Sequence, residues 1–305
     1  MKSSLIKIIG SQPAVIGQSL KSIAKMMLKS RRKALPHAIG AGERLIVLGN
    51  GPSLNDTIAS YGADVLQRNP TMAVNFAANA AVFVVLQPRY YIMADPVFFE
   101  GDDNEKVRLL WQNLADNVSW PMTLFVPMER LGRVRLHNPL IEVRGFNFVG
   151  LEGASWLIHS AFDRGLGMPR PRNVLIPAIM TGLLMGYREI YICGADHSWT
   201  RTLSVDGQNR LVTVQPHFYK DGEDEARRIE QVYRDIHMHD ILLSFHIAFK
   251  SYFAIERYAR SRGADIYNAT PGSFIDAFRR RSLESLRDEG SVGQKPDGDV
   301  VGEQP

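Results

Sequence analysis

The chain lacks several features that would assign it to a class at once. Its 305 residues include one cysteine, Cys193, which excludes an intramolecular disulfide framework. No uninterrupted apolar run is long enough to cross a bilayer, so a membrane-spanning protein is not predicted. The N-terminus also lacks a compact apolar segment followed by a small-residue cleavage site. Together these absences favour a globular protein in a reducing, cytoplasmic setting.

Acidic residues are missing from residues 1–40, which we call the leader, although these positions hold eight Lys and Arg. The formal net charge of the whole chain is +4, so removing these eight charges leaves −4 for the remainder. The basic character therefore belongs to the leader. Because a nucleic-acid-binding core is expected to carry a basic face of its own, no nucleic-acid partner is predicted.

The leader has the pattern of a basic amphipathic helix. Its apolar residues recur at helical spacing: Ile16, Leu20, Ile23 and Met27. Its lysines form a row four residues apart: Lys21, Lys25 and Lys29. Such a helix can lie in the interface of an anionic membrane. The alternatives are a helix that packs on the domain, or on a partner subunit of a homo-oligomer, and a mitochondrial-type transit peptide.

One turn has the composition of a phosphate-binding loop, although it is neither a Walker loop nor a GxGxxG motif. It lies in the segment LIVLGNGPSL, which is typical of a buried strand followed by a tight turn and a helix. Gly49 and Gly51 would let the backbone approach a ligand closely. Pro52 suits the first turn of the helix, and Asn50 and Ser53 add polar groups beside its positive end. A plain strand-to-helix turn is the alternative.

Segments typical of strands and helices alternate from residue 41 to residue 281. This order predicts one α/β domain with a Rossmann-like, mostly parallel sheet and helices on both faces. Strands are predicted over residues 45–48, 71–76, 90–95, 123–126, 141–148, 189–193 and 265–268. Helices are predicted over residues 56–67, 77–86, 104–117, 174–185, 247–262 and 274–287. Residues 149–173 and 200–230 are expected to form lids or a small subdomain, and residues 282–305 a disordered tail.

Polar residues follow several of the predicted strands. Asn50, Asn75 and Asp95 end three successive strands, and in an open parallel sheet this edge is where ligands bind. The strand over residues 189–193 delivers a further group to the same edge: Gly194, Asp196, His197 and Ser198. Convergence of these residues on one pocket is the prediction, and a capping role for Asn75 and Asp95 is the alternative.

Other chemically active side chains lie in the second lid and near the last long helix. Those in the lid are His217, Tyr219 and Lys220. His246 is predicted to open the long helix, where the positive potential favours a neutral imidazole that can accept a proton. A structural histidine bonded to backbone is the alternative. His237 and His239 are expected to diverge on a helix, and Asp102 and Asp103 to be solvated, so no metal site is predicted.

The order of these parts resembles the MptE-like family, also called 6-hydroxymethylpterin diphosphokinase-like, and the related bacterial sialyltransferase family of Campylobacter type. The matching segments lie within residues 44–281: GNGPSL at 49–54, NF at 75–76, DPVFF at 95–99, MGYREIYICGAD at 185–196, His246, and IYNATPGS at 266–273.

The resemblance implies a variant of the GT-A fold and a glycosyltransferase of surface polysaccharide or glycoconjugate synthesis. The donor would be a nucleotide-activated sugar, with CMP-sugars as one candidate class, and the acceptor a glycan or a lipid-linked glycan. The implied nucleotide-binding residues are Gly49, Asn50, Gly51, Pro52, Ser53, Asn75, Asp95, Gly194, Asp196 and Ser198. His246 would be the general base of an inverting transfer, and the leaving group would be stabilised by His197, His217, Tyr219 and Lys220. No cofactor is required, although Mg²⁺ is compatible.

Three departures leave the donor open. Asp95 stands where those sialyltransferases carry Asn, residues 173–175 replace a Thr-Ser-Gly turn, and Ser198 replaces a phosphate-binding Tyr. One alternative function is Mg²⁺-dependent diphosphate transfer from ATP, with Asp95 and Asp196 as metal ligands. Another is a non-catalytic protein that binds nucleotides or glycans within an assembly complex.

Overall fold

A parallel β-sheet forms the centre of the computed structural model, which describes residues 2–31, 44–101, 104–212, 236–284 and 286. Its eight strands are β1 (Arg44–Leu48), β2 (Thr71–Val74), β3 (Tyr90–Ile92), β4 (Met122–Pro127), β5 (Ile141–Phe146), β6 (Glu189–Cys193), β9 (Asp265–Asn268) and β10 (Arg279–Arg280). Two further strands, β7 (Ser204–Val205) and β8 (Leu211–Val212), pair in a separate antiparallel hairpin.

Seven α-helices lie in the described part of the chain. They are α1 (Lys2–Lys29), α2 (Ser53–Gln67), α3 (Val82–Leu86), α4 (Glu105–Asp116), α5 (Ser155–Asp163), α6 (Leu175–Leu184) and α7 (Met238–Ser261). Short 3₁₀ turns follow β2, β3 and β4 and precede β7.

The strand order is β10-β9-β6-β1-β2-β3-β4-β5, and every pairing within this sheet is parallel. From β1 the chain builds outward through β2 to β5, and then returns to place β6 on the other side of β1. The boundary between β1 and β6 is therefore the topological switch point, where ligands bind in open α/β sheets. This order confirms the predicted Rossmann-like α/β fold.

Both faces of the sheet are covered, because alternate side chains of each strand point to opposite faces. In β1, Leu45 and Val47 belong to one core cluster, which includes residues of α6 and α7. Ile46 and Leu48 belong to another, which includes residues of α2 and α3. Strands buried on both faces have nearly continuous apolar sequences, which is why they could be recognised in the sequence.

The prediction that residues 149–173 form an irregular lid is wrong. The segment contains α5, and Leu151, Phe162 and Met168 are buried in the main core. Its two ends are tied together, since the Leu151 N–H donates to the Met168 carbonyl and the Met168 N–H donates to the Val149 carbonyl, both at 2.9 Å. The segment is a fixed part of the domain.

Two predictions near the C-terminus are also wrong: the start of a helix at residue 274 and the end of the domain at residue 281. Residues 274–278 are not helical and lead into β10. The Ile275 carbonyl accepts hydrogen bonds from Asn268 and Arg280, at 3.1 and 3.0 Å, which holds this turn against the sheet. Leu283 and Leu286 are buried in the cluster below α2, so the core continues beyond residue 281.

Two other boundaries differ from expectation. The helix predicted over residues 77–86 is a 3₁₀ turn, Asn75–Asn79, followed by the short α3. The second predicted lid begins with the β7–β8 hairpin over residues 204–212, and residues 213–235 lie outside the described part of the chain.

The leader contains α1, which packs on the domain through serine residues rather than through its apolar stripe. The Ser22 hydroxyl donates to the Glu152 carbonyl at 2.6 Å and accepts from the Glu152 N–H at 2.9 Å. The Ser19 hydroxyl accepts from the Ala154 N–H at 3.0 Å. At the end of the helix, the Asn147 side chain bonds the Arg31 backbone in both directions. The predicted helix is present, and the residues of its apolar stripe remain exposed, whereas Met26 packs against the main core.

Gly153 should be required for this docking. A Cβ at Gly153 would lie 2.4 Å from Ser19 Oγ and 2.8 Å from Ser19 Cα, so Gly153→Ala should push α1 away at a cost of about 1–3 kcal/mol. Limited proteolysis should then cleave within residues 13–31 roughly tenfold faster. Gly101→Ala is a matched control. Gly101 has a φ of +131°, close to the +133° of Gly153, so alanine causes a similar backbone strain at both positions, but a Cβ at Gly101 would meet nothing within 4 Å. Equal cleavage of both variants would contradict this docking.

Candidate active site

A cavity of about 570 Å³ opens at the carboxyl edge of the sheet, over β1, β2, β3 and β6. Its size suits a small-molecule ligand. Most of the residues predicted to converge do line it: Asn50, Gly51, Pro52, Asn75, Asp95, Gly194, Asp196, His197 and Ser198. Gly49 and Ser53 stand behind this wall. The strand-end pattern therefore located a real pocket.

The two glycines of the first turn, Gly49 and Gly51, allow a close contact between the loops that follow β1 and β6. The Gly49 N–H donates to the Cys193 carbonyl and the Gly51 N–H to the Gly194 carbonyl, both at 2.8 Å. A Cβ at Gly49 would lie 2.4 Å from the Gly194 oxygen, and one at Gly51 would lie 1.9 Å from Asp196 Oδ2. These amides are therefore occupied, and the glycines let the loops after β1 and β6 touch. Gly51 also lines the cavity, so the expectation that these glycines let the backbone approach a ligand stays a prediction.

Asn50 and Ser53 contribute side chains rather than backbone groups. Ser53 Oγ donates to Asp196 Oδ2 at 2.8 Å, which fixes the Asp196 carboxylate beside the cavity. Asn50 Nδ2 donates to the Val74 carbonyl at 3.2 Å, whereas Asn50 Oδ1 is buried and has no hydrogen-bond partner among the described residues. A buried acceptor without a partner is costly, so Asn50 Oδ1 is suited to accept from a ligand hydroxyl or amine.

Asn75 and Asp95 both line the cavity, but only Asp95 caps a turn. Asn75 adopts a left-handed φ of +46°, and its Oδ1 accepts from the Ala94 N–H, beyond the end of β3, at 3.4 Å. Asp95 is exposed, and its Oδ1 accepts from the Val97 N–H at 3.1 Å. For Asp95 the capping role and the place in the cavity wall are compatible, since one carboxylate oxygen caps the turn and the other is free of that role.

His197 belongs to a buried network that the sequence did not reveal. Its Nε2 lies 2.6 Å from the Tyr252 hydroxyl, which in turn donates to Asn173 Oδ1 at 3.0 Å. If the Tyr252 proton goes to Asn173, His197 Nε2 must carry a proton and donate to Tyr252. This assignment satisfies the two shorter contacts and leaves the 3.4 Å separation between Nε2 and Asn173 Nδ2 unbonded. His197 Nδ1 is then an acceptor.

The same network holds the edge of the site in place. Asn173 Oδ1 also accepts from the Leu175 N–H at 3.1 Å, which caps the start of α6. Trp199 packs against the His197 ring, with a centroid distance of 4.1 Å, and His197 has a left-handed φ of +51°. A non-glycine residue held in that conformation and bonded on its inner side has a fixed ring orientation.

Burial lowers the pKa of His197 to about 3. The imidazole is therefore neutral at physiological pH, because the low-dielectric surroundings disfavour its charged form. A neutral His197 cannot supply the positive charge that was expected of it for a leaving phosphate. It can contribute a hydrogen bond and a rigid wall.

Positive charge comes from three residues that sequence reasoning missed, namely Lys106, Arg172 and Arg201, all of which line the cavity. The guanidinium of Arg201 lies 4.7 Å from the centre of the Phe274 ring, which orients it. Asp95 and Asp196 are the two carboxylates of the lining, so the wall carries a net charge of +1 with His197 neutral. The sequence contained a signal for the two arginines, because Arg172 directly precedes Asn173 and Arg201 closely follows His197 along the chain.

The histidine predicted to be the base lies elsewhere. α7 begins at Met238, so His246 is within the helix and not at its start, and its side chain is exposed. The argument from the positive end of the helix is therefore wrong for His246. Ser244 lines the cavity, but among the described histidines His197 is the one that does.

The remaining predicted groups divide between surface and undescribed segments. His237 and His239 do not diverge, because their rings stack with centroids 5.9 Å apart, and the His237 N–H donates to the Asp240 carboxylate at 3.1 Å. No group of three His, Cys, Asp or Glu with metal-binding geometry occurs in the described residues. His217, Tyr219, Lys220, Asp102 and Asp103 lie outside them.

Gly49→Ala should destabilise the protein by about 1–3 kcal/mol, because its Cβ would overlap the Gly194 backbone. Urea unfolding measures this difference. Gly132→Ala is the control, since a Cβ there meets nothing within 4 Å and its stability should be close to that of the wild type. A Gly49→Ala protein as stable as the control would show that the two loops are not in close contact.

His197 should make the protein sensitive to acid. The unfolded chain binds a proton at this residue below about pH 6.5, whereas the folded protein does so only near pH 3. Stability from His197 is thus complete above pH 6.5 and falls as the pH drops toward 3, by up to about 1.4 kcal/mol per pH unit. His197→Gln should flatten this dependence in urea unfolding between pH 6.5 and 4. The exposed His239→Gln should not, and equal slopes in both variants would refute the assignment.

Comparisons with known proteins give one structural neighbour of note. No family model matches the chain, and no curated protein matches it. Among solved structures, the MAf glycosyltransferase from Magnetospirillum magneticum AMB-1 is similar, with 14% sequence identity and a TM-score of 0.49 over 91% of this chain. The match covers 41% of that protein, so this chain spans about two-fifths of its length. The resemblance to the MptE-like family stays an expectation, and the proposal below rests on the cavity.

Proposed function

We propose that the protein is a glycosyltransferase that binds a nucleotide-activated sugar in the carboxyl-edge cavity. The observation that supports this most is the position of that cavity at the switch point between β1 and β6, lined by Asn50, Arg172 and Arg201. A switch-point cleft is where nucleotides bind in α/β folds, and arginines on its wall suit a diphosphate or monophosphate. CMP-sugars are one candidate donor class.

The cavity offers a division of labour for the transfer. As the bond to the anomeric carbon breaks, negative charge grows on the nucleotide phosphate, and Arg172 and Arg201 are placed to stabilise it. Asn50 Oδ1 would accept from a hydroxyl or amine of the donor. Asp95, which is exposed at the cavity wall, is a group that could take the proton of an acceptor hydroxyl. His246 remains the base predicted from the resemblance, and because it does not line the cavity, this role requires the anomeric carbon of the donor to lie outside the cavity.

One observation favours the ATP-dependent diphosphate transfer as a second candidate. Asp95 and Asp196 line the same cavity, and Mg²⁺ is typically held by one or two carboxylates together with substrate phosphates. In that case Mg²⁺ would bind with the nucleotide, and Asp196 would have to exchange its bond to Ser53 for the metal.

Nucleotide binding distinguishes these functions. CMP, UDP, GDP and ATP, each with and without Mg²⁺, should be compared by thermal shift and calorimetry. We expect a nucleotide of the sugar-donor type to stabilise the protein by about 2.7 kcal/mol at a concentration 100 times its Kd. Arg201→Met should weaken this binding about 10- to 100-fold, the loss expected for a charged hydrogen bond. Arg164→Met is the control, because Arg164 is exposed just after α5 and does not line the cavity. Stabilisation by Mg-ATP alone would favour diphosphate transfer. No response to any nucleotide would contradict both proposed functions, glycosyl transfer and diphosphate transfer.

Turnover then separates the candidate bases. With a donor identified by the binding panel, Asp95→Asn and His246→Asn should each be assayed for nucleotide release in the presence of acceptor. The variant that lacks the base should lose at least ~100-fold in kcat while keeping its nucleotide affinity. Full activity of His246→Asn would eliminate His246, and full activity of Asp95→Asn would eliminate Asp95.

A further inference from the structure

The apolar stripe of α1 has no partner in the described structure. Its members are exposed to the following extents: Ile16 58%, Leu20 63%, Ile23 37% and Met27 81%. A helix that packed its apolar side on its own domain would bury these residues. Instead the serine face makes the contacts, and the stripe is turned about a quarter of the way around the helix from that face.

An exposed tryptophan lies on the helix that contacts α1. α1 and the segment of residues 150–154 run antiparallel to each other. This is shown by three hydrogen-bonded pairs: Lys25 with Gly150, Ser22 with Glu152, and Ser19 with Ala154. The α1 residues of these pairs, Lys25, Ser22 and Ser19, are three positions apart. Ile16 is the next position in the same direction. The next residues of the segment open α5, which contacts α1 and carries Trp156 with 77% of its surface exposed.

We propose that α1 and Trp156 form a docking surface for an anionic lipid membrane, with the stripe and the tryptophan entering the interface. Tryptophan is favoured at the boundary between lipid and water, and interfacial helices carry apolar residues on one side and Lys or Arg on the other. The lysine row of α1 lies on the side opposite the stripe. A helix is about 10–12 Å thick, which exceeds the Debye length of about 8 Å, so the lysines act on a lipid surface where their long side chains bend toward it.

Charge decides between a membrane and a second copy of the chain. The leader has eight Lys and Arg and no Asp or Glu, so two leaders brought together would repel each other. An anionic surface is attracted by the same charges. Each basic residue near such a surface adds to the binding, which makes the lipid charge part of the prediction.

The docking surface is joined to the cavity by one segment. The Asn147 side chain bonds the backbone of Arg31, just beyond the end of α1, and the neighbouring Phe148 lines the cavity. If the proposed transferase function holds, a lipid-linked acceptor would be presented from the membrane to this side of the cavity. Docking itself does not depend on that function, because it involves none of the cavity residues.

Vesicle co-sedimentation of the full chain tests the docking surface. Binding to vesicles of phosphatidylcholine with phosphatidylglycerol should be at least tenfold tighter than to phosphatidylcholine alone. Leu20→Ser/Met27→Ser should lose at least tenfold of this affinity. Leu109→Ser/Leu140→Ser is the matched control, because these residues are exposed by 46% and 42% on other elements and their loss should leave binding unchanged.

Tryptophan fluorescence reports the same event at one residue. On addition of the anionic vesicles the emission should shift to shorter wavelength, and Trp156→Phe should abolish most of that shift. The proposal is overturned if the stripe variant binds like the wild type or if the wild type binds neither vesicle. It is also overturned if sedimentation equilibrium shows that the stripe variant converts a dimer to a monomer without a change in vesicle binding. Nucleotide affinity should be equal in all these variants, so failure of docking and failure of the transferase function can be told apart.

Discussion

The close contact between the loops that follow β1 and β6 is the constraint on which the site depends. These strands are neighbours at the point where the chain reverses its direction of growth across the sheet, and their loops must leave the same edge side by side. Two backbone hydrogen bonds join them, and glycines at positions 49 and 51 allow the approach. Ser53 then reaches Asp196 across the junction. The Gly49 and Gly51 amides are thus already bonded, so other groups at this edge must recognise the ligand.

The outer wall is rigid for a different reason. His197, Tyr252 and Asn173 come from three separate parts of the chain, and the Tyr252 hydroxyl bonds both of the others. Burial keeps the imidazole neutral and raises the pKa of the Tyr252 hydroxyl, so the network has no charge to stabilise. Positive charge is instead carried by side chains at the mouth, such as Arg172 and Arg201, where water can reach them. A site of this kind separates its structural polar groups from the charged groups that meet the ligand.

The sequence was sufficient for seven of the eight strands and for the residues at the carboxyl edge, because buried parallel strands are short apolar runs and their ends are marked by Gly, Asn and Asp. It missed β10, which is a short, exposed edge strand. It was insufficient where long-range contacts decide the structure. The turn at residues 274–278 is held by Asn268 and Arg280, and α5 is fixed by pairing between residues 149–151 and Met168. His246 was misplaced because the start of α7 is eight residues earlier, and the hydrogen bonds of Tyr252 join residues 55 and 79 positions away along the chain. The docking face of α1 was missed because serines, not leucines, make the contact.

A crystal structure of the protein with a bound nucleotide would show directly whether the cavity is the nucleotide site. We expect the phosphate between Arg172 and Arg201 at the mouth, with a donor group of the nucleotide or sugar within hydrogen-bond distance of Asn50 Oδ1, and the Gly49 and Gly51 amides still bonded to the β6 loop. A nucleotide bound away from the β1–β6 edge, or one whose phosphate displaces those two amide bonds, would contradict this placement.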